Sequence, residues 1–489
     1  MKILLAGYNL DHEIISELKE KSSFAQDLTP ETVSAAYARI SRSPKPVDEL
    51  RQIARQEVDK ARKSNRNIVF EMGHSSVAEH AVFNIDVIGV SRLLVEEIEK
   101  FRLCSYTEKS QRYVLFDKDF VIPEEIKQAG ETDLFLETVN RQNAYYHELY
   151  EKLRPYVFDQ NKSLAENPAN RSMLEGWAKE DARYVISLAT ETQLGMTINA
   201  RNLELMLRRL MALPLVEAQE YSQKLYAATK DTAPSLIRYT EATDYDLLTR
   251  LGLRMQAAYF SKKYPCTESV GKSPAVQLTL VTPDADVRAA AALLFSVSGL
   301  NYEQCLDQAG KLTSREKKAF FKIAFEHMQA HDAALRELEN IDLQFDLIMS
   351  ASCFAQLKRH RMATIIAQDY DPGLGITIPP SINAIGEKKR FLEIMKRTHQ
   401  AYEQIRKKAS PAAFYVLTNA HRKRVLMKLN ARELYHLARL RADEHAQWDV
   451  RNLALAMLKK AGRIMPLTLL LACGKDSFTD LHKKNYPDY

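Results

Sequence analysis

The 489-residue chain is 46% hydrophobic and 27% charged, with 15 glycines and 17 prolines, which excludes collagen-like, coiled-coil and disordered classes and predicts roughly two to four domains. Its 69 basic and 63 acidic residues leave a net charge of +6, too small for this length to point to nucleic acid as a partner. Five cysteines, Cys104, Cys266, Cys305, Cys353 and Cys473, show no CxxC or other paired spacing; this argues against a disulfide framework and a metal site, and fits a reducing cytoplasm.

In chain order, "MKILLAGYNLDHEIISELKE" predicts a first strand and helix; it lacks the small-residue cleavage site of a signal peptide. "HAVFNIDVIGV" from His80 alternates as a strand, with Val82, Asn84 and Asp86 on one side and Phe83, Ile85 and Val87 on the other. Val90, Leu93, Leu94, Ile98 and Phe101 then form one helical stripe. In "KFRLCSYTEKSQRY" from Lys100, an extended backbone places Tyr106, Glu108, Ser110 and Arg112 on one face. A carboxylate, a hydroxyl and a cation converging there suit a phosphate and a polar ring, because the planar guanidinium makes paired, charge-assisted bonds. A solvated strand with an internal Glu/Arg pair is the plainer reading of the same residues.

The stretch from Asp246 to Tyr264 is amphipathic, and turn formers cluster after it in "PCTESVGKSP", so a boundary is expected there, with one domain over 1–265 and another over 270–489. In "QLKRHRM", a helix would gather Gln356, Arg359 and His360 into one patch. "LNARELYHLARLRADEHAQWDVRNLALAMLKKAG" reads as one long helix ending at Gly462. It carries Arg432 with His436, and Arg441 with His445, nine residues further on and so turned to the opposite side; salt-bridged helix surface is the alternative for both pairs. The longest apolar run, "IMPLTLLLACG" from Ile464, is shorter than the roughly 18 residues of a membrane span.

The same order of signals occurs twice. "TVSAAYARIS", "GHSSVAEH" and "KFR" are answered by "DVRAAAALLF", "AHDAALRE" and "RHR" 254, 257 and 259 residues later, and "NARNL" by "NAREL" 231 residues later. "EAQ" at Glu217 is paired with "HAQ" at His445. A shared order with a near-constant offset indicates a tandem duplication, and mixed helices and strands indicate two α+β domains, each with long helices on a small antiparallel sheet.

These residues resemble the flavin-dependent thymidylate synthases, the ThyX family, most closely in "CSYTEKSQRY", "RHR" and "LNARELYHLARLRADEHAQW". The resemblance implies reductive methylation of dUMP to dTMP, with FAD, with methylenetetrahydrofolate as carbon donor and with NADPH as reductant. It assigns Arg441 to catalysis, as the cation that stabilises negative charge on uracil. It assigns Glu108, Ser110, Arg112, Arg183, Gln356 and Arg359, with Arg441, to the substrate. Ser76, Glu79, Arg359, His360, Arg361, Asn430, Arg432, His436 and His445 go to the cofactor, with His74 as a supporting residue.

Each copy departs from the pattern. The first has "KFR" for "RHR", Thr107 for an asparagine and Leu210 at the position of Arg441; the second has Ala367, Asp369 and Asp371 for Glu, Ser and Arg, and Phe414 at the position of Arg183. The retained parts are complementary, so one active site shared by the two halves, and a homodimer acting as a pseudo-tetramer, are expected. The alternatives are a flavin- and folate-dependent enzyme acting on another pyrimidine nucleotide or on uracil in RNA, and a non-catalytic nucleotide-binding descendant.

Overall fold

The computed structural model describes residues 1–11, 13–14, 17, 29–40, 47–56, 58–66, 75–110, 119–265 and 274–487. The chain divides into two compact units, one of Met1–Thr267 with Ile385–Leu417, the other of Glu268–Ala384 with Thr418–Tyr489. The division is thus not a single cut near residue 267: a segment of the second half lies within the first unit.

The first unit contains β1 (Lys2–Tyr8), α1 (Glu31–Ile40), β2 (Val82–Ser91), α2 (Arg92–Ile98), β3 (Ser105–Glu108), α3 (Thr132–Gln160), β4 (Glu191–Asn199), α4 (Ala200–Met211), α5 (Val216–Thr229) and α6 (Asp244–Lys263). Its four strands pair antiparallel in the order β1-β2-β4-β3. The alternation read from the sequence is the one that folds: Phe83, Ile85 and Val87 of β2 and Leu194, Met196 and Ile198 of β4 are buried, while Asn84, Asp86, Gln193 and Gly195 face outward.

The second unit repeats this plan with β5 (Val276–Val281), α7 (Ala285–Val297), β6 (Asp342–Ser350), α8 (Ala351–Leu357), β7 (Thr364–Tyr370), β8 (Arg422–Asn430), α9 (Ala431–Arg441) and α10 (Trp448–Gly462). Its sheet order is β5-β6-β8-β7, again antiparallel. Leu343, Phe345, Leu347, Val425, Met427 and Leu429 form the buried face.

The duplication extends to single hydrogen bonds. Ser91 and Ser350 end equivalent strands, and each hydroxyl caps the next helix by accepting from Leu94 N–H and Cys353 N–H, both at 3.0 Å. Asn199 and Asn430 do the same for α4 and α9, accepting from Asn202 N–H at 2.9 Å and Glu433 N–H at 2.8 Å. In the first unit Arg92 and Leu93 N–H donate to Thr190 and Leu188 carbonyls; in the second, Ala351 and Ser352 N–H donate to His421 and Asn419.

Within the first unit, the helix Lys388–Arg406 packs along α3. The buried Gln142 amide donates to Thr398 Oγ1 at 2.8 Å and to the Val416 carbonyl at 3.0 Å, and Leu188 N–H donates to the Leu417 carbonyl at 2.7 Å. No described helix is long and apolar enough to cross a membrane.

Two local expectations are corrected. The single helix predicted through Gly462 is broken between Arg441 and Trp448. There Asp443 Oδ1 accepts from His445 N–H at 2.9 Å and Gln447 Oε1 caps α10 by accepting from Asp449 N–H at 3.1 Å; such side chains compete with the helical backbone ladder. The helical patch predicted around Arg359 is absent too, because α8 stops at Leu357 and β7 starts at Thr364.

Candidate functional site

The turn between α8 and β7 aims "RHR" in alternation: Arg359 and Arg361 are exposed, whereas His360 is 3% exposed. The His360 ring is held from both sides. Arg441 Nε–H donates to its Nε2 at 3.2 Å, which makes Nε2 the acceptor, so Nδ1–H donates to Glu433 Oε1 at 3.0 Å. Burial is the main cause holding the His360 pKa below its ordinary value; Arg441 adds to this and Glu433 opposes it. His360 is therefore a neutral imidazole with an assigned tautomer.

Arg441, the last residue of α9, also donates from Nη2 to the Gln356 carbonyl at 3.0 Å. The Gln356 amide donates to Ser352 O at 3.3 Å and to Gln447 Oε1 at 3.4 Å. The guanidinium of Arg441 is thus oriented by a histidine, which is oriented by a buried carboxylate. Glu433 was not singled out from the sequence; its position three residues after the cap Asn430 and three before His436 was the available signal.

His436, one turn along α9, has its ring 5.7 Å from that of His360 and is exposed. His360, Glu433 and His436 offer ligand atoms within 4.8 Å of one another. The guanidinium already on His360 Nε2 opposes a cation there, so the cluster is better suited to orienting Arg441 than to holding a metal.

Other residues assigned to the cofactor have different surroundings. Asn430 uses its side chain as the α9 cap. Arg432 donates to the Ala334 carbonyl at 2.8 Å and pairs with Glu339 at 3.0 Å. Arg439 donates to the Asp332 carbonyl. Asp332 and Ala334 also line a cleft of about 310 Å³, with Phe325, His327 and Met328. His445 is exposed in the turn after α9, 3.9 Å from Glu444.

In the first unit, Glu108 ends β3 with its carboxylate buried, paired with Arg92 and accepting from Thr192 Oγ1 at 3.2 Å. The partner of Glu108 is Arg92, from the helix after β2, and the pair is buried; the pair read within the strand, with Arg112, falls outside the described residues. Ser110 is half-buried just beyond the strand, and Arg183 is buried after the helix Arg171–Ala182. Ser76 and Glu79 lie on the short turn Ser75–His80, where Glu79 pairs with Arg201 as Glu339 pairs with Arg432. Arg112 and His74 lie outside the described residues.

The pairing of Glu217 with His445 is corrected. Glu217 is the second residue of α5 and accepts from Ser91 N–H at 2.7 Å, Ser91 Oγ–H at 2.6 Å and Tyr415 Oη–H at 2.6 Å. Its counterpart is Asp449, second in α10, which accepts from Ser350 Oγ–H. Leu213 then stands at the position of His445, and Glu217 is a structural carboxylate whose pKa burial raises.

The family model of the thymidylate synthase complementing proteins matches twice, over residues 24–235 and 277–467. A UPF0159 protein of Chlamydia muridarum is 26% identical over 428 residues, 84% of this chain and 80% of that protein. A flavin-dependent thymidylate synthase of Clostridium tetani is 32% identical over 215 residues, 43% of this chain but 82% of that enzyme. The Helicobacter pylori ThyX structure complexed with FAD and dUMP covers 49% of this chain and 100% of its own at 18% identity with a TM-score of 0.29, a likeness too slight to argue from. Matched twice over most of its length, this chain belongs to the thymidylate synthase complementing protein family, with the family's domain present in two diverged tandem copies.

Proposed function

We propose that the chain is a flavin-dependent thymidylate synthase that methylates dUMP reductively to dTMP, with methylenetetrahydrofolate and NADPH as co-substrates. The observation that carries this reading is the Gln356–Arg441–His360–Glu433 chain, which fixes a guanidinium at the end of α9. Neutral His360 can accept from Arg441 only while unprotonated, so the buried Glu433 and the low-dielectric setting keep the arginine aimed. A cation preorganised in this way would stabilise negative charge developing on the uracil ring.

The second unit suits a dinucleotide cofactor. Its mainly apolar cleft is large enough for one flat ring system, and two of its lining residues, Ala334 and Asp332, are bonded through their carbonyls to Arg432 and Arg439. FAD would be held there, with Arg359, Arg361, His436 and His445 as exposed donors. Bound, the flavin supplies the redox chemistry. For the nucleotide phosphate, Ser110, Arg112 and Arg183 are the groups to bind it, while Glu108 shapes the strand end through its pair with Arg92.

The test is dTMP formation by purified chain loaded with flavin. Arg441→Ala is expected to lower turnover by about 10²- to 10³-fold with flavin absorbance retained. A wild-type chain that takes up flavin but leaves dUMP unchanged would transfer the reading to another pyrimidine acceptor, and one that takes up no flavin would overturn it.

A further inference from the structure

Among the described residues of its unit, helix α6 is held chiefly at its N-terminal end. Its first turn is fixed by a capping box between Thr243 and Asp246, whose carboxylate receives Arg208 and Arg209 of α4 at 3.0 Å each. Beyond that anchor most of its side chains are exposed. Nine large apolar residues from Tyr245 to Tyr264 are 46–68% exposed. Aromatic and aliphatic side chains of this size leave on the order of 100 Å² each uncovered, so the five that share one face, Leu247, Leu248, Leu251, Met255 and Tyr259, supply about 500 Å², more than half of the roughly 800 Å² that one partner contributes to a stable interface.

The arrangement of these residues names the occupant. At about 100° per residue, Leu247, Leu248, Leu251, Met255, Ala258 and Tyr259 fall on one third of the helix circumference. This stripe is self-complementary when reversed. Against a second copy running antiparallel and centred on Leu253, Leu247 meets Tyr259, Leu248 meets Ala258 and Leu251 meets Met255. Asp244 meets Lys262, Arg250 meets Gln256 and Arg254 meets Gly252, so opposite charges meet at both ends and no like charges face each other. Self-complementarity under reversal is what a twofold interface requires.

We propose that α6 is a self-pairing helix through which two copies of this chain associate antiparallel. The pairing is carried by the apolar stripe and its register is set by the Asp244–Lys262 pairs. The experiment is sedimentation of the full-length chain at micromolar concentration, with circular dichroism to confirm that each variant is folded. Wild type is expected at the mass of two chains and Leu251→Glu, at an exposed position, at the mass of one. Asp244→Lys, which sets lysines against Lys262 at both ends, should weaken association by about tenfold, and the double change Asp244→Lys with Lys262→Asp should restore it. A wild-type chain that sediments alone overturns the proposal. So does a Leu251→Glu chain that stays paired, or a charge reversal that either has no effect or is not rescued.

Discussion

Glu433, His360 and Arg441 form a relay in which only one protonation state satisfies every partner. The His360 pKa is depressed in the folded chain, so between that value and the ordinary value near 6.5 the unfolded chain binds more protons. Stability conferred by neutral His360 is therefore complete above pH 6.5 and is lost as pH falls through and below that point. The melting temperature should drop on acidification below about pH 6.5, and His360→Gln should flatten that slope. Glu433→Gln keeps an oxygen acceptor for Nδ1–H and should be mild. Glu433→Leu leaves that buried donor without it and should cost about 1–3 kcal/mol, measured by denaturant unfolding. The sequence displays His360 and Arg441 through "RHR" and the spacing around "NAR", but not the carboxylate behind His360, because nothing in the spacing distinguishes a buried glutamate from the many at helix surfaces.

Among the elements, the strand-to-helix corners hold the two halves to one design. At each, a serine caps the helix it begins and donates to a carboxylate on a later helix: Ser91 to Glu217 and Ser350 to Asp449. Ser91→Ala should cost about 1–3 kcal/mol, because it removes a cap and a donor to a buried acid at once. Ser350→Ala should cost less: Asp449 is only half-buried, whereas burial already raises the pKa of Glu217. Differential scanning of the two variants checks the ranking. The strands were legible because a two-residue alternation survives divergence, as Phe83, Ile85 and Val87 show. The register between Glu217 and Asp449 was not, since the letters "AQ" recur nearby and a match of letters displaced a match of roles. The helix break after Arg441 is hidden in the sequence for a related reason: apolar spacing continues across it, and the interruption comes from Asp443 and Gln447 side chains bonding to backbone.

For the whole molecule, the duplication was readable from the order of motifs, but the assignment of residues 385–417 to the first unit was not, because sequence order carries no information about which core a helix joins. Phe391, Met395, Thr398 and Ile405 of Lys388–Arg406 are buried, and the amide of Gln142, itself fully buried, finds its acceptors on this segment. Tyr415 supplies one of three donors to Glu217. A fragment ending at residue 267 would expose the apolar face of α3, leave the Gln142 amide without these acceptors and remove a donor from an already destabilised carboxylate. Each orphaned buried polar group costs about 1–3 kcal/mol, and four or so uncovered large side chains cost about 1.5–3 kcal/mol apiece. The sum, about 8–18 kcal/mol, is as large as the 5–15 kcal/mol that usually holds a domain folded. Residues 1–267 expressed alone should therefore show no cooperative unfolding transition, and supplying residues 268–489 in the same cell should restore it in a complex that co-purifies. A cooperative transition in the isolated fragment would mean that the helix Lys388–Arg406 decorates the first unit without being needed for its core.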